Sequence, residues 1–426
     1  MAVTQIELSY GAGTLTLDIP DRWLGQVVHP IDVKPTAETR TLIGQALDKP
    51  IGSPALSTLA NRGQQVALIV DDYTRKTPVH LLLPHVLARL REAGLRRDEI
   101  QIVVALGTHR PMTDQELLAK VGDRVAARYE VINTPSTAAE SMVYMGHSSN
   151  DIPAYVNRTV AHADLRIGLG MITPHMDTGF SGGAKIILPG VCSSRTVDAF
   201  HVESAFIPGN PLGDVNAPLR LSLERFVEER VPLHFIVNVV RTTDGPLYGC
   251  VSGDAVAAHR RGVEHARAVF GVPVGRRYPV VIANCYPYDI DWWQSHKGIY
   301  CGDLITEDGG TLIIVTAAPE RNSTYPMVPR YAGQDPKQLK DAIREGAVQD
   351  PKQATAGIQL SRLRERIRLV LVSDGMTLED ATAMDIPYYR YPEAALTDTI
   401  RQLPPSRRQG SVAVIPQAGV ALPLLA

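Results

Sequence analysis

Three short apolar runs in the first half of the chain each stop at a cluster of polar and glycine residues. The runs cover residues 65–70, 100–106 and 165–170, and their β-branched composition is typical of strands. Between the first two, residues 79–93 place leucine and valine at helical spacing. The pattern predicts strand, helix, strand units, which build a parallel sheet. The polar clusters that follow the runs are DDYTR at 71–75, GTHR at 107–110 and the PH pair at 174–175.

The apolar pattern restarts after about residue 272. Further predicted strands lie at 280–283, 311–315, 367–372 and 412–415, and the proline- and glycine-containing segment 273–278 is predicted to be a linker. The sequence therefore predicts an α/β protein of two α/β domains, with a mainly parallel sheet in the larger one. The predicted larger domain covers 1–272 and the smaller one 273–407, with 408–426 as a candidate to complete the larger domain. An active-site cleft is expected between them.

Composition restricts the class of protein. Apolar residues make up 44%, charged residues 21%, and the net charge is −2 with both signs spread along the chain. No nucleic-acid or membrane partner is therefore expected. No apolar run reaches the ~18 to 20 residues of a membrane span, and the first residues lack a signal-peptide pattern, so a cytoplasmic location is predicted. The four cysteines are scattered without a C-x-x-C pair, which argues against a disulfide framework or a zinc ribbon.

One glycine-rich segment, GFSGGAK at 179–185, superficially resembles a P-loop. Ala184 stands where the second glycine should be, and Ile186 replaces the Ser or Thr that would hold magnesium. The chain also lacks H-E-x-x-H. Nucleotide hydrolysis and zincin-type hydrolysis are not supported.

Several chemically capable residues follow the predicted strands. His109, His175 and Arg75 all lie at carboxyl ends, which meet at one edge of a parallel sheet. Two histidines at one site suit proton transfer in both directions, and an arginine offers a planar fork to a carboxylate. Lys185 follows a glycine-rich turn that would allow close approach to a phosphate. The residues alone favour an acid/base enzyme over a binding module.

Five segments together resemble the nickel-dependent lactate racemase family. They are DDYTRKTP at 71–78, ALGTHR at 105–110, PH at 174–175 leading into GFSGGAK at 179–185, PG at 189–190, and WQSHK at 293–297. The resemblance implies a nickel-pincer nucleotide with Ni²⁺, a pyridinium-3-thioamide-5-thiocarboxylic acid mononucleotide. By position it implies Lys185 as the attachment lysine, His201 as the nickel ligand, and Asp72, Gly182 and Gly183 in the cofactor pocket.

The same resemblance implies the residues that act on the substrate. His109 and His175 would be a catalytic acid/base pair on opposite faces of the substrate. Arg75 and Lys297, helped by Gln294, would hold its carboxylate. The implied activity is racemisation or epimerisation of a 2-hydroxy acid, lactate or a related acid, by reversible hydride transfer to the tethered nucleotide. The implied partners are that small-molecule substrate and the cofactor-biosynthesis proteins needed for maturation.

The sequence leaves three alternative hypotheses about the function open. Lys76 and the segment 176–178, Met-Asp-Thr, add polar groups near the expected pocket, which keeps malate or a sugar acid beside lactate as substrates. A cofactor-free hydroxy-acid dehydratase or hydrolase would use the same histidines. A non-enzymatic carboxylate-binding homologue is the third alternative.

Overall fold

The structure, a computed structural model, describes residues 2–243, 245–322 and 325–425 and consists of two six-stranded sheets with helices packed on them. The strands are β1 Val3–Tyr10, β2 Gly13–Pro20, β3 Leu24–Val27, β4 Val66–Asp71, β5 Ile100–Ala105, β6 Glu130–Ile132, β7 Met142–His147, β8 Pro153–Asn157, β9 Leu165–Met171, β10 Pro174–His175, β11 Gly179–Phe180, β12 Phe235–Arg241, β13 Leu247–Gly253, β14 Gly271–Val274, β15 Tyr278–Asn284, β16 Thr306–Val315, β17 Arg368–Val372, β18 Tyr388–Tyr389, β19 Val412–Ile415 and β20 Leu422–Leu425. The α-helices are α1 Thr39–Asp48, α2 Leu56–Leu59, α3 Val79–Glu92, α4 Asp114–Val121, α5 Asp123–Ala126, α6 Arg158–His162, α7 Ser194–Ser204, α8 Pro218–Arg230, α9 Ala257–Phe270, α10 Trp292–Ile305, α11 Val328–Ala332, α12 Pro336–Arg344, α13 Pro351–Arg366, α14 Leu378–Ala383 and α15 Pro392–Gln402.

The first sheet has the order β13-β12-β9-β4-β5-β6, and all its neighbours are parallel except β12 and β13. The three predicted strands form β4, β5 and β9, and the predicted helix forms α3. These strands are nearly continuous apolar runs because each face of the sheet carries its own core, one under α3 and one under α8. The carboxyl ends of β5, β4 and β9 therefore lie side by side.

The second sheet has the order β18-β17-β16-β15-β19-β3 and is parallel throughout. The four strands predicted after residue 272 form its centre. The α/β class with parallel sheets is confirmed. Among the residues that the structure describes, no helix combines the length and apolarity needed to cross a membrane.

Three segments do not lie where the predicted division into two domains placed them. Strand β3 lies in the second sheet although it belongs to 1–272, and β19 lies there although 408–426 was a candidate to complete the larger domain. The linker predicted at 273–278 is partly wrong, because β14 begins at Gly271 and pairs with β20. Such pairings join segments more than a hundred residues apart, and no local pattern specifies them. The two-domain boundary itself stays a prediction.

Apolar packing joins the two layers close to the carboxyl edge of the first sheet. One continuous core contains Ile172 and Phe180, which follow β9, together with Val281 and Ile314 of the second sheet. A smaller cluster joins the end of α7 to α12 and α13. Helices α10 and α13 of the second layer thereby face the loops that follow β4, β5 and β9.

Candidate active site

A cavity opens where β5, β4 and β9 end. Because the three strands are parallel neighbours, the loops after them meet at one edge of the sheet. Six of the ten residues predicted for the site line this cavity. They are Asp72, Arg75, His109, Gly182, Gly183 and Lys185.

Asp72 and His109 form a hydrogen-bonded pair across neighbouring loops. Asp72 Oδ2 lies 2.6 Å from His109 Nδ1, and its Oδ1 accepts from the backbone N–H of Thr74 at 3.1 Å and from its hydroxyl at 2.6 Å. Burial raises the pKa of Asp72, but His109, Thr74 and Arg75 outweigh it and leave the pKa lowered. The ionised carboxylate accepts the proton on Nδ1, so His109 Nε2 keeps its lone pair and is placed as a base.

Lys120 of α4 holds the loop that carries Asp72 and Arg75. Its buried ammonium donates to the backbone oxygens of Asp72 and Arg75, each at 2.8 Å, and lies 2.6 Å from Asp71 Oδ1. Sequence analysis missed this residue. It lies in an ordinary amphipathic helix, 48 residues from Asp72, and nothing local marks it.

His175 and Lys185 contact each other directly. Lys185 Nζ lies 2.6 Å from His175 Nε2, and the backbone N–H of Asp177 donates to His175 Nδ1 at 3.2 Å. Burial first, then the charges of Lys185, Arg75 and Lys297, hold the pKa of His175 well below its usual value. Burial and then Arg75 lower the pKa of Lys185 to about 7. Both groups are thus driven toward their neutral forms.

Gly182 and Gly183 allow the chain to pass close to other residues. Their φ angles are +76° and +60°, and a Cβ on Gly182 would lie 2.7 Å from Asn238 Oδ1, while one on Gly183 would lie 2.9 Å from the His259 ring. Asn238 Oδ1 also accepts from the backbone N–H of Gly183 at 2.7 Å. Internal packing alone therefore requires glycine at both positions.

Arg220 of α8 holds the same loop in place through hydrogen bonds to its backbone oxygens. The fully buried guanidinium donates to the backbone oxygens of Thr178 at 3.3 Å, Gly182 at 3.1 Å, and Phe180. Glu224 lies 3.9 Å from it. No sequence signal distinguishes this arginine from the solvated ones of the same helix.

Lys297 and Gln294 enter the site from α10 of the second layer. Lys297 Nζ donates to Gln294 Oε1 at 2.7 Å and lies 3.5 Å from the centre of the Tyr288 ring. Burial, and then the charge of Arg75, hold the pKa of Lys297 well below its ordinary range, with Lys185 adding to the shift. Lys297, Arg75 and Lys185 are therefore close enough to repel one another.

His201 lies on α7. Its Nδ1 lies 2.7 Å from the Val197 carbonyl oxygen, which accepts the ring N–H and leaves the Nε2 lone pair available. Burial and the charge of Lys352 lower its pKa to about 4. A neutral imidazole with a free Nε2 is a suitable metal ligand. Within the described residues, no group of three or more His, Cys, Asp or Glu side chains could hold a metal, so a metal at His201 requires donors from a bound group.

Helix α13 supplies two contacts that sequence analysis did not find. Lys352 Nζ donates to Thr108 Oγ1 at 3.2 Å, next to His109, and Gln359 Nε2 donates to Asp177 Oδ1 at 3.0 Å, next to His175. The contacts join residues 244 and 182 positions apart. Only the folded chain brings them together.

Two imidazoles beside an arginine and two buried lysines define a site for acid/base chemistry on a small anion. Comparison with known proteins agrees with that class. A family model, the lactate racemase N-terminal domain, matches residues 10–211. The chain is 32% identical to a lactate racemase of Lactiplantibacillus plantarum, covering 87% of this chain and 88% of the relative. It is 28% identical to a lactate racemase of Thermoanaerobacterium thermosaccharolyticum, covering 88% and 90%.

Solved structures share the fold of this chain. The lactate racemase apoprotein from Thermoanaerobacterium thermosaccharolyticum matches with a TM-score of 0.86 and 25% identity, covering 99% of this chain and all of that one. A protein from Thermotoga maritima shares the fold at a TM-score of 0.64 and 22% identity. The chain belongs to the lactate racemase family and is an isomerase of the racemase type. The resemblance recognised in the sequence is confirmed.

Proposed function

We propose that this protein racemises or epimerises a 2-hydroxy acid, lactate or a related acid. The observation that carries the proposal is the convergence of His109, His175, Arg75 and Lys297 from both layers. A carboxylate substrate supplies the negative charge that the cluster lacks. Family membership supports the reaction class, and the polar segment 176–178 keeps more polar hydroxy acids among the candidate substrates.

The substrate carboxylate would lie between Arg75 and Lys297, with Gln294 holding the ammonium of Lys297 in place. His109 and His175 would then stand on opposite sides of the α-carbon. One removes the hydroxyl proton, and the other returns a proton to the opposite face. General acid/base groups of this kind are typically worth ~10² to 10⁴-fold in rate.

The residues present also fit the nickel-pincer nucleotide that the family implies. When bound, that group supplies an acceptor for hydride from the α-carbon. Lys185 offers a buried neutral amine for covalent attachment, and His201 offers a free Nε2 to nickel. Gly182 and Gly183 line the pocket. Maturation would require cofactor-biosynthesis proteins, and we place the protein in the cytoplasm.

The sequence resemblance implied that Asp72 belongs to the cofactor pocket, whereas this proposal gives it a role in positioning His109. It lines the cavity, but Oδ1 is occupied by Thr74 and Oδ2 by His109. Little acceptor capacity remains for a nucleotide. Asp72 is therefore a positioning residue for His109, in addition to forming part of the pocket wall.

The test compares two variants of protein produced together with cofactor-biosynthesis proteins. Lys185→Ala should lose both the added mass and nickel, because no amine remains to hold the cofactor. His201→Ala should keep the added mass while nickel becomes labile, because a coordination bond exchanges and a covalent bond does not. Intact-mass measurement and metal analysis distinguish the two.

The wild-type protein decides between this proposal and the cofactor-free alternatives. Loaded protein should carry the added mass and stoichiometric nickel, and should interconvert the enantiomers of at least one 2-hydroxy acid on a chiral column. Dehydration or hydrolysis products, or binding without turnover, would overturn the proposal.

A further inference from the structure

We infer that His175 has a second role, before the cofactor is attached: it keeps Lys185 as a neutral amine and is itself released for catalysis when that amine is consumed. The contact between Lys185 Nζ and His175 Nε2, at 2.6 Å, is the starting observation. The biological meaning of this role rests on the proposed function, because the electrophile that Lys185 meets is the proposed cofactor.

The hydrogen bonds around His175 determine which nitrogen carries its proton. The backbone N–H of Asp177 donates to Nδ1 at 3.2 Å, so Nδ1 is an acceptor. A neutral imidazole with an acceptor at Nδ1 carries its proton on Nε2. The Nε2–H therefore donates to Lys185 Nζ, and a lysine nitrogen accepts a hydrogen bond only as the free amine.

The charges around Lys185 favour the same state. Arg75 and Arg220 face it as cations, and Asp177 is the carboxylate that offsets them in part. Lys297, when protonated, adds positive charge beside His175. With burial added, these groups lower the pKa of Lys185 to about 7. A free lysine side chain, with a pKa near 10.4, is a neutral amine in only about one molecule in 2,500 at pH 7.

Attachment changes both partners. Attachment to a thiocarboxylic acid would form one C–N bond and break the bond between that carbon and its carbonyl oxygen. The oxygen would leave as water with one amine hydrogen and the thiol hydrogen, while the sulfur stays on the carbon as C=S. The nitrogen of the resulting thioamide has no basic lone pair. It no longer accepts from His175, whose Nε2–H is then free to face the cleft. Attachment therefore converts His175 from a lysine partner into the acid on one face of the substrate.

The test measures Lys185 in the full chain produced without cofactor-biosynthesis proteins. Trace labelling with acetic anhydride from pH 5.5 to 10, read by peptide mass spectrometry, gives the pH midpoint at which the amine becomes reactive. Exposed Lys49 reports reagent activity in the same digest, and buried Lys120 should stay unlabelled while the fold is intact.

Two variants separate hydrogen bonding from burial. His175→Phe keeps a ring that excludes water but has no N–H, so the Lys185 midpoint should rise by about one pH unit, the tenfold change expected for loss of one hydrogen bond to the neutral form. His175→Gln keeps an N–H donor, and its midpoint should stay near the wild-type value.

An unchanged or lower midpoint in His175→Phe, with Lys120 still protected, would overturn the inference. So would a wild-type Lys185 that becomes reactive only near pH 10. Because no cofactor is present, neither result depends on whether the loaded protein racemises anything. Conversely, the predicted midpoint shift in a chain that never acquires nickel would refute the proposed function alone.

Discussion

The two histidines of the site differ in their hydrogen-bond partners. His109 faces a carboxylate and has its lone pair on Nε2, whereas His175 faces a backbone N–H and has its proton on Nε2. One is thus placed as a base and the other as an acid, which is the pairing that a single passage from one enantiomer to the other requires. The difference arises from Asp72 and Asp177, and not from the histidines themselves.

Replacing either histidine should stop the reaction in both directions. His109→Ala and His175→Ala each remove one of the two proton carriers, so activity per nickel-loaded molecule should fall ~10² to 10⁴-fold from either enantiomer. Chiral chromatography of reactions started from each pure enantiomer measures this. Activity near the wild-type level in either variant would exclude that histidine from the mechanism.

Asp72→Asn tests the positioning role directly. Asparagine keeps the shape of the side chain, but its amide N–H donates to His109 Nδ1 and moves the ring proton to Nε2, where the base is needed. We expect kcat to fall at least ~10²-fold, with KM, added mass and bound nickel unchanged. Loss of cofactor with a normal kcat per loaded molecule would instead make Asp72 a cofactor ligand.

At the scale of elements, the site depends on helices that carry none of its predicted residues. Arg220 of α8 anchors the glycine-rich loop, Lys120 of α4 supports the loop after β4, and α13 contacts the loops of both histidines through Lys352 and Gln359. Loops held at several points stay in one geometry, which acid/base catalysis needs. These helices therefore act on the chemistry through the loops that they support.

Arg220→Met should destabilise the protein as well as its site. The substitution removes the hydrogen bonds that the guanidinium donates to the backbone oxygens of Thr178, Phe180 and Gly182. Each oxygen keeps another donor, so the cost is that of the lost charge-assisted hydrogen bonds, about 1.5 to 3 kcal/mol each. We expect a fall of several degrees in Tm and loss of cofactor loading. Arg344→Met is the matched control, since that guanidinium is 63% exposed and pairs with Asp341 on the surface. Equal Tm values for the two variants would contradict the anchoring role.

At the scale of the whole molecule, burial of neutral histidines couples stability to pH. Burial lowers the pKa of His296 to about 4 and holds that of His259 well below its usual value. Below pH 6.5 the unfolded chain binds protons at these positions and the native chain does not. Protonation of the unfolded chain therefore lowers the free energy of unfolding as the pH falls from 6.5 toward 4. Above pH 6.5 these two histidines leave the free energy of unfolding independent of pH.

Urea denaturation between pH 7.5 and pH 4.5 should show this decrease. Each histidine adds a slope of at most about 1.4 kcal/mol per pH unit to the free energy of unfolding. His296→Gln and His259→Gln should each reduce the slope in proportion, whatever their effect on stability at pH 7.5. Parallel profiles for wild type and both variants would show that these histidines do not titrate on unfolding.

The sequence by itself determined the strands that carry the site and the identity of its principal residues. Strands β4, β5 and β9 are nearly continuous apolar runs that stop at polar clusters, and both properties are local. The motif segments sufficed to recognise the lactate racemase family, which the comparisons confirm. Local pattern is enough here because burial on both faces of a parallel sheet leaves a continuous signal in each strand.

Only the tertiary structure decided how those residues are paired and charged. The sequence does not show that Asp72 lies on His109 or that Lys185 lies on His175, because each pair joins different loops. It also does not assign β3 and β19 to the second sheet. Protonation states follow from burial and from charges brought together by folding, so they do not exist until the chain has folded.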